Sequence, residues 1–378
     1  MTDRTPVVVA AARTPQGKAG GVFADTRPEE LSIPVVNELL SRAGIEGPVV
    51  DDLMWGCAKQ VGEQGNNLAR IIALLSELGE TVPGTTIDRL CASSAQSIMS
   101  AAAAIEAGNR DVVIAGGVES MSRVERDTTT FDIPGMTERY DVEDLQMGMT
   151  AEAVAERHDV SREAQDAYGA RSQQRAVAAT EEGRFDDEIV PIDTGEEVVT
   201  TDEGLRPGTT AEKLANLPPA FTEGGTVHAG NASQLSDGAA GLLITSRAFA
   251  EDNSLPILAE IGSNNVAGVD PHVMGIGPIP AVEGLLQRTG RSIDDYDLVE
   301  LNEAFASQTL YCQRELGIDE EVMNVNGGAI AIGHPLGCSG ARLPVTLIHE
   351  MNKRGAEAGL STQCVGYGQG GAIEFFLP

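Results

Sequence analysis

Thiols and imidazoles are the side chains best suited to nucleophilic and proton-transfer chemistry near neutral pH, and three of them stand in unusual settings in this sequence. Cys91 follows the strand-like Thr85-Thr86-Ile87 through Asp88-Arg89-Leu90, and Ala92-Ser93-Ser94 then opens an Ala-rich helix. A thiol at a helix N-terminus meets free N–H groups and the positive end of the dipole, so its pKa is expected to fall below about 8.5. Small neighbours leave room for an acyl group. A second reading, a buried cysteine serving as a small apolar side chain, stands beside it.

His334 lies in the glycine-rich stretch Gly327-Gly328-Ala329-Ile330-Ala331-Ile332-Gly333-His334-Pro335, just before a predicted helix. Glycines allow close backbone approach and Pro335 stiffens the loop that presents the ring, although a lone histidine is more often structural. Cys364 precedes Val365-Gly366-Tyr367-Gly368-Gln369-Gly370-Gly371. The formal G-x-G-x-x-G from Gly366 to Gly371 is followed by strand-like residues instead of a helix, so a dinucleotide site fails on context. The arrangement suggests instead a thiol beside amide donors. Asn302-Glu303-Ala304-Phe305 follows the strand-like Asp297–Leu301, where an Asn-Glu pair ordinarily makes a turn or helix cap.

These segments must be positioned by a scaffold, and the chain carries a faint internal repeat that supplies one. Ile33 to Gly44 matches Ile279 to Gly290 at an offset of 246 residues, both at helical period and ending on Gly. Cys91 and the helix Ser94–Ala107 match Cys338 and the helix running to Met351 at an offset of 247. A strand follows each: Asp111 to Ala115 before Gly116-Gly117, and Ser361 to Val365 before a Gly-rich turn. Two similar α/β halves about a pseudo-twofold axis are expected. Between them, residues 119–234 turn to charged helices and loops, with helices over 150–182, a start at Ser161 and a stop at Gly183. Substrate-binding segments often lie in such an insertion.

At 378 residues the chain can bury two or three sizeable cores. No run approaches the roughly 18 apolar residues of a membrane helix, and Met1-Thr2-Asp3-Arg4 leads directly into strand-like Val7-Val8-Val9, so a cytoplasmic protein without a signal peptide is expected. Five scattered cysteines without a C-x-x-C pair suggest free thiols, with neither disulfides nor a metal site. The net charge of -31, with Lys only at positions 18, 59, 213 and 353, would repel nucleic acid and anionic membranes. It would also repel an anionic substrate, unless salt near 1 M screens charges within about 3 Å. A halophilic origin reconciles these features.

Taken together, the motifs resemble the thiolase family over nearly the whole chain. C-x-S at Cys91, G-N-A-S at Gly230 to Ser233 with Ser236-Asp237-Gly238-Ala239-Ala240, M-G-x-G-P at Met274 to Pro278, N-E-A-F at Asn302, G-H-P-x-G at Gly333 and C-x-G at Cys364 fall in family order. The resemblance implies a five-layered αβαβα thiolase fold of two βαβ-type halves with an inserted loop domain. Its N-terminal half would be residues 1–118, completed by about 235–257, its loop domain 119–234 and its C-terminal half 258–378. It implies a homodimer or homotetramer acting on coenzyme A and acetyl-CoA as substrates, with no permanent cofactor.

By the same resemblance Cys91 is the nucleophile that His334 activates, and Cys364 the acid/base at the α-carbon. One oxyanion hole would comprise His334 and a water held by Asn302, the other the N–H groups of Cys91 and Gly366. Met147, Phe221, Ser233 and Phe305 match positions lining the pantetheine channel. Four residues, in three places, depart from the family pattern. Ala92 and Ser94 replace glycines of C-G-S-G, Tyr367 replaces Gly, and Gln146 replaces a His frequent in short-chain biosynthetic members. Gln146, Asn231 to Asp237 and Gly368 to Gly370 look more like degradative 3-ketoacyl-CoA thiolases. Two alternatives are a decarboxylating 3-ketoacyl synthase, which normally has two histidines in place of Cys364 and His334, and a non-catalytic thiolase-like subunit of a complex.

Overall fold

The structure, a computed structural model, describes residues 3–124 and 133–378. The start Met1-Thr2 and residues 125–132 of the expected loop domain lie outside the described residues. Twelve strands are present among those described: β1 (Pro6–Arg13), β2 (Gly17–Lys18), β3 (Asp52–Gly56), β4 (Gly84–Ile87), β5 (Val112–Ser120), β6 (Ile192–Asp193), β7 (Val198–Val199), β8 (Ser236–Ser246), β9 (Ala259–Gly268), β10 (Leu298–Leu301), β11 (Ala358–Val365) and β12 (Gln369–Phe376).

The order β10-β11-β12-β9-β1-β8-β5-β3-β4 makes one ladder from two half-sheets, which meet only where Val7 and Val8 pair with Glu260 and Ala259. Alternation along the strands sends side chains to three separate cores. In β8, Ala239 and Leu243 face the outer helices Pro28–Ala43 and Leu68–Leu75, while Ala240, Leu242 and Ile244 face inward. In β1 a bulge after Val8 lets Val9 and Ala10 both join the outer core while Val8 and Ala11 join the inner one. The inner core also takes Val365, Ile373 and Phe375 from the other half. Two central helices, Ser93–Glu106 and Leu336–Arg354, therefore lie between the half-sheets. Helices Pro278–Thr289 and Ala306–Leu316 cover the far face, completing αβαβα.

The repeat has a physical basis in the caps. Gly44 and Gly290 end their helices at φ 65° and 75°, where a side chain would be strained. Gly116-Gly117, expected just past a strand, instead lies inside β5. A Cβ on Gly116 would come within 2.5 Å of the Trp55 ring, so the missing side chains admit a buried tryptophan without breaking the ladder. The central helices begin at Ser93 and Leu336, so Cys338 sits inside the first turn of its helix while Cys91 precedes its own.

In the intervening region, helices Met147–Arg157 and Arg162–Glu181 occupy the expected span, with Ser161 Oγ accepting from Ala164 N–H and Gly183 at φ 70°. We propose the half, loop-domain and half division given above as the unit boundaries of this topology. Among the described residues no helix is long and apolar enough to cross a membrane.

The central helices touch backbone to backbone, since a Cβ on Gly340 would lie 2.5 Å from Ala95 N. Gly340→Val should therefore destabilise the chain by about 1–3 kcal/mol through overpacking and should also lower activity, because the Cys91 turn and the His334 loop lead into these helices. Urea unfolding in matched salt measures it; a loss below about 0.5 kcal/mol would show that the helices can part freely.

Candidate active site

Cys91 sits in a 3-10 turn, Leu90–Ala92, between β4 and the helix Ser93–Glu106. Leu90 holds φ 48°, an uncommon left-handed conformation for a bulky residue, just before the thiol. The N–H groups of Gly366 and of Cys91 itself favour the thiolate, yet burial is the larger effect and nearby Glu119 adds to it, pushing the thiol up to about 11. The expected depression by a helix N-terminus is thus overturned: the C-terminal half closes over Cys91, and desolvation outweighs the amide donors.

His334 is buried on the loop that enters the other central helix, pushed down to about 4 by burial and then by Arg342, so the ring is neutral. Its Nδ1 lies 2.6 Å from Ser339 Oγ, and its backbone N–H donates to the Gln234 carbonyl at 3.1 Å. Asn302 lies against the ring, with Nδ2 3.4 Å from Nε2 and 3.5 Å from Nδ1. Asn302 Oδ1 is buried and has no hydrogen-bond partner among the described residues. It is an acceptor aimed into the site.

Cys364, next to last in β11, is held well above the usual thiol range by burial first and then by its neighbour Cys91. Gly366 follows in the loop to β12, where Tyr367 takes φ 59° and Gly368 φ 80°. Tyr367 thus carries a side chain at a positive φ, a conformation that is uncommon for a bulky residue.

The remaining predicted residues form an approach. Phe305 shares an apolar cluster with Cys364, Met274, Ala304 and Ala232. Phe221 meets Phe305 edge to face at 6.3 Å, and packs on Gly148 next to Met147. Ser233 N–H donates to the Ala304 carbonyl at 2.9 Å. Phe221 and Met147 are 45% and 38% exposed and Phe305 only 8%, so a line of apolar contacts runs from the surface through Phe305 to Cys364. All nine predicted residues thus gather at one place.

Matches to known proteins identify the family. Residues 6–248 match the family model "Thiolase, N-terminal domain" and residues 255–376 match "Thiolase, C-terminal domain". The chain belongs to the thiolase family. It is 47% identical to a 3-ketoacyl-CoA thiolase of Pectobacterium carotovorum, covering 98% of each chain. It is 48% identical to one of Bacillus subtilis, covering 98% of this chain and 99% of that one. Among solved structures it resembles a Bacillus anthracis acetyl-CoA acetyltransferase (TM-score 0.92, 42% identity, 99% of each chain). It also resembles a human mitochondrial 3-ketoacyl-CoA thiolase in complex with CoA (TM-score 0.92, 40% identity, 100% of this chain and 99% of that one).

Several supports of this thiolase site escape sequence reading. The Glu119 carboxylate, fully buried, accepts from Ala58 N–H (2.9 Å), Gly337 N–H (2.9 Å) and Gln64 Nε2 (2.6 Å), tying the histidine loop to β5. Glu303, instead of capping a turn, accepts from Tyr168, Ser172, Asn324 and the Ile330 N–H, locking helix Arg162–Glu181 to the same loop. His228 Nδ1 accepts from Gly230 N–H at 3.0 Å, so its Nε2–H donates to Asp166 at 2.6 Å; Asn231 Nδ2 also reaches Asp166, at 3.2 Å. The acidic and aromatic members are single residues far apart in sequence and carry no local motif.

Burial sets an order of thiol reactivity. Cys91 is 9% exposed and the other four cysteines 0–1%, so iodoacetamide should label Cys91 first, as read by peptide mapping. With its thiol near 11 the thiolate fraction grows tenfold per pH unit, so the labelling rate should climb without a plateau up to about pH 9.5. A plateau below about pH 8 would restore the depressed thiol.

Proposed function

We propose that this chain is an acetyl-CoA C-acyltransferase, exchanging an acetyl unit between CoA thioesters by thiolysis of a 3-ketoacyl-CoA or the reverse condensation. The observation that carries the reading is the pair of buried thiols, Cys91 and Cys364, meeting under a neutral histidine at the end of an apolar approach. One thiol alone could hold an acyl group; a second is needed to move the proton at the neighbouring carbon.

In thiolysis, His334 takes the Cys91 proton as the sulfur attacks the 3-keto carbon, which avoids a standing buried thiolate. The N–H groups of Cys91 and Gly366 receive the developing oxyanion, each such donor being typically worth roughly 3 kcal/mol of barrier. The C2–C3 bond then breaks, and its electron pair becomes the enolate of acetyl-CoA. His334 and a water held by Asn302 stabilise the enolate oxygen, and Cys364 gives its proton to C2. The proton on His334 returns to Cys364. Incoming CoA gives its thiol proton to His334, attacks the thioester and releases Cys91, which recovers that proton.

Met147, Phe221, Ser233 and Phe305 would line the pantetheine channel. Gln146 and the Asn231 to Asp237 segment favour a degradative 3-ketoacyl-CoA thiolase of fatty acid metabolism, working in the cytoplasm as a homodimer or homotetramer. The net charge of -31 with four lysines supports a halophilic setting, in which molar salt suppresses self-repulsion and lets an anionic substrate approach. Activity and melting temperature should both fall when salt is withdrawn; full activity and an unchanged melting temperature in dilute buffer would refute that part.

The two cysteines can be separated experimentally. Cys91→Ala should abolish both acyl transfer and thiolysis. Cys364→Ala should lose thiolysis of acetoacetyl-CoA by several orders of magnitude yet still gain about 42 Da on the Cys91 peptide from acetyl-CoA, the mass of an acetyl group. Near-normal thiolysis in Cys364→Ala, or acetyl on Cys364 in place of Cys91, would overturn the roles.

A further inference from the structure

We propose that Ser339 is a positioning residue that fixes the tautomer of His334, holding the ring proton on Nδ1 and leaving the Nε2 lone pair free as the base. The inference rests on the reading of His334 as the group that takes the Cys91 proton, and adds what sets its direction. Ser339 Oγ makes two short contacts, 2.6 Å to His334 Nδ1 and 2.9 Å to the Pro335 carbonyl. A carbonyl oxygen can only accept, so the single hydroxyl proton goes to Pro335. The hydroxyl must then accept from the ring, which requires a proton on Nδ1. Turning the hydroxyl to the ring instead would leave two oxygen lone-pair sets facing each other at 2.9 Å, in an interior where Ser339 is 1% exposed.

The other groups facing the ring are compatible with this assignment. Asn302 Nδ2 lies 3.4 Å from Nε2 and 3.5 Å from Nδ1, and with the Nδ1 proton held by Ser339 this donor meets the lone pair on Nε2. Arg342, one helical turn beyond Ser339, is itself paired with Glu300 at 3.0 Å and offers the ring a field that disfavours a second proton. A neutral ring carries one proton, and the contacts place it on the nitrogen held by Ser339. During the reaction Nε2 gains the Cys91 proton and passes it on to Cys364, while Nδ1–H stays on Ser339, so no ring rotation is needed between the two transfers. Helix Leu336–Arg354 thereby aims the base through its first turn.

The test is nitrogen NMR of the full chain labelled with 15N-histidine, His334→Asn identifying the His334 signals. Wild type should show a protonated Nδ1 and an unprotonated Nε2 at neutral pH. Ser339→Ala should move the proton toward Nε2 or mix the tautomers, with kcat lowered about 100-fold, as for a misplaced reacting group, and KM little changed. Ser339→Thr, which keeps the hydroxyl, should restore both. A wild-type ring protonated on Nε2, or the same tautomer in wild type and Ser339→Ala, would overturn the proposal, whatever the activity. If Ser339→Ala does not fold, the wild-type spectrum still decides. Because the tautomer is read without substrate, a failed acyl-transfer role for His334 would be seen separately, in the cysteine variants.

Discussion

Backbone contact between the two central helices is the constraint from which the site follows. Gly340 meets Ala95 with no space for a side chain, and on the neighbouring strand a Cβ on Gly117 would lie 2.3 Å from the Gly337 carbonyl. Close approach at these points brings the first turns of both helices together, and with them the turn that carries Cys91 and the loop that carries His334. The half-sheets then clamp the helices from both sides, so the reacting groups are fixed by elements buried on every face. Residues recruited from the intervening region, above all Tyr168 and Ser172 on Glu303, stiffen the histidine loop from outside.

The same packing that positions the groups also removes water from them, and this decides their protonation. Cys91, Cys364 and His334 are all shifted toward their neutral forms, with burial as the leading cause in each case. A resting thiolate–imidazolium pair is therefore disfavoured. In the proposed mechanism charge develops as bonds to carbon form or break, and it then meets the Gly366 and Cys91 amides or the Asn302 and His334 side. A dry pocket in which two thiols lie side by side suits a reaction whose intermediates would be lost to water.

Much of this is legible in the sequence, because the chemistry depends on short contiguous segments. The glycines around His334, the strand-to-helix turn at Cys91 and the caps at Gly44 and Gly290 are local features, and local features leave patterns. The repeat likewise records two halves that must each bury a helix against a sheet. What the sequence does not disclose is the outcome of long-range burial. The Cys91 thiol reads as activated from its own turn, and only the covering β11 loop, some 275 residues later, shows that desolvation prevails. Glu119 looks like the polar end of a strand, and its five acceptor bonds come from three distant segments. Ser339 is one small residue in a helix of small residues, and its meaning lies in two distances.

The division of labour between the thiols can be measured on the bond it concerns. Acetyl-CoA carrying deuterium on its methyl group, incubated with enzyme in ordinary water, loses that label only if a group in the site removes and returns the α-proton. Mass spectrometry of the recovered thioester should show washout with the wild-type chain and its loss in Cys364→Ala under conditions where that variant still forms acetyl-enzyme. Undiminished washout in Cys364→Ala would contradict the assignment of the α-carbon proton to Cys364.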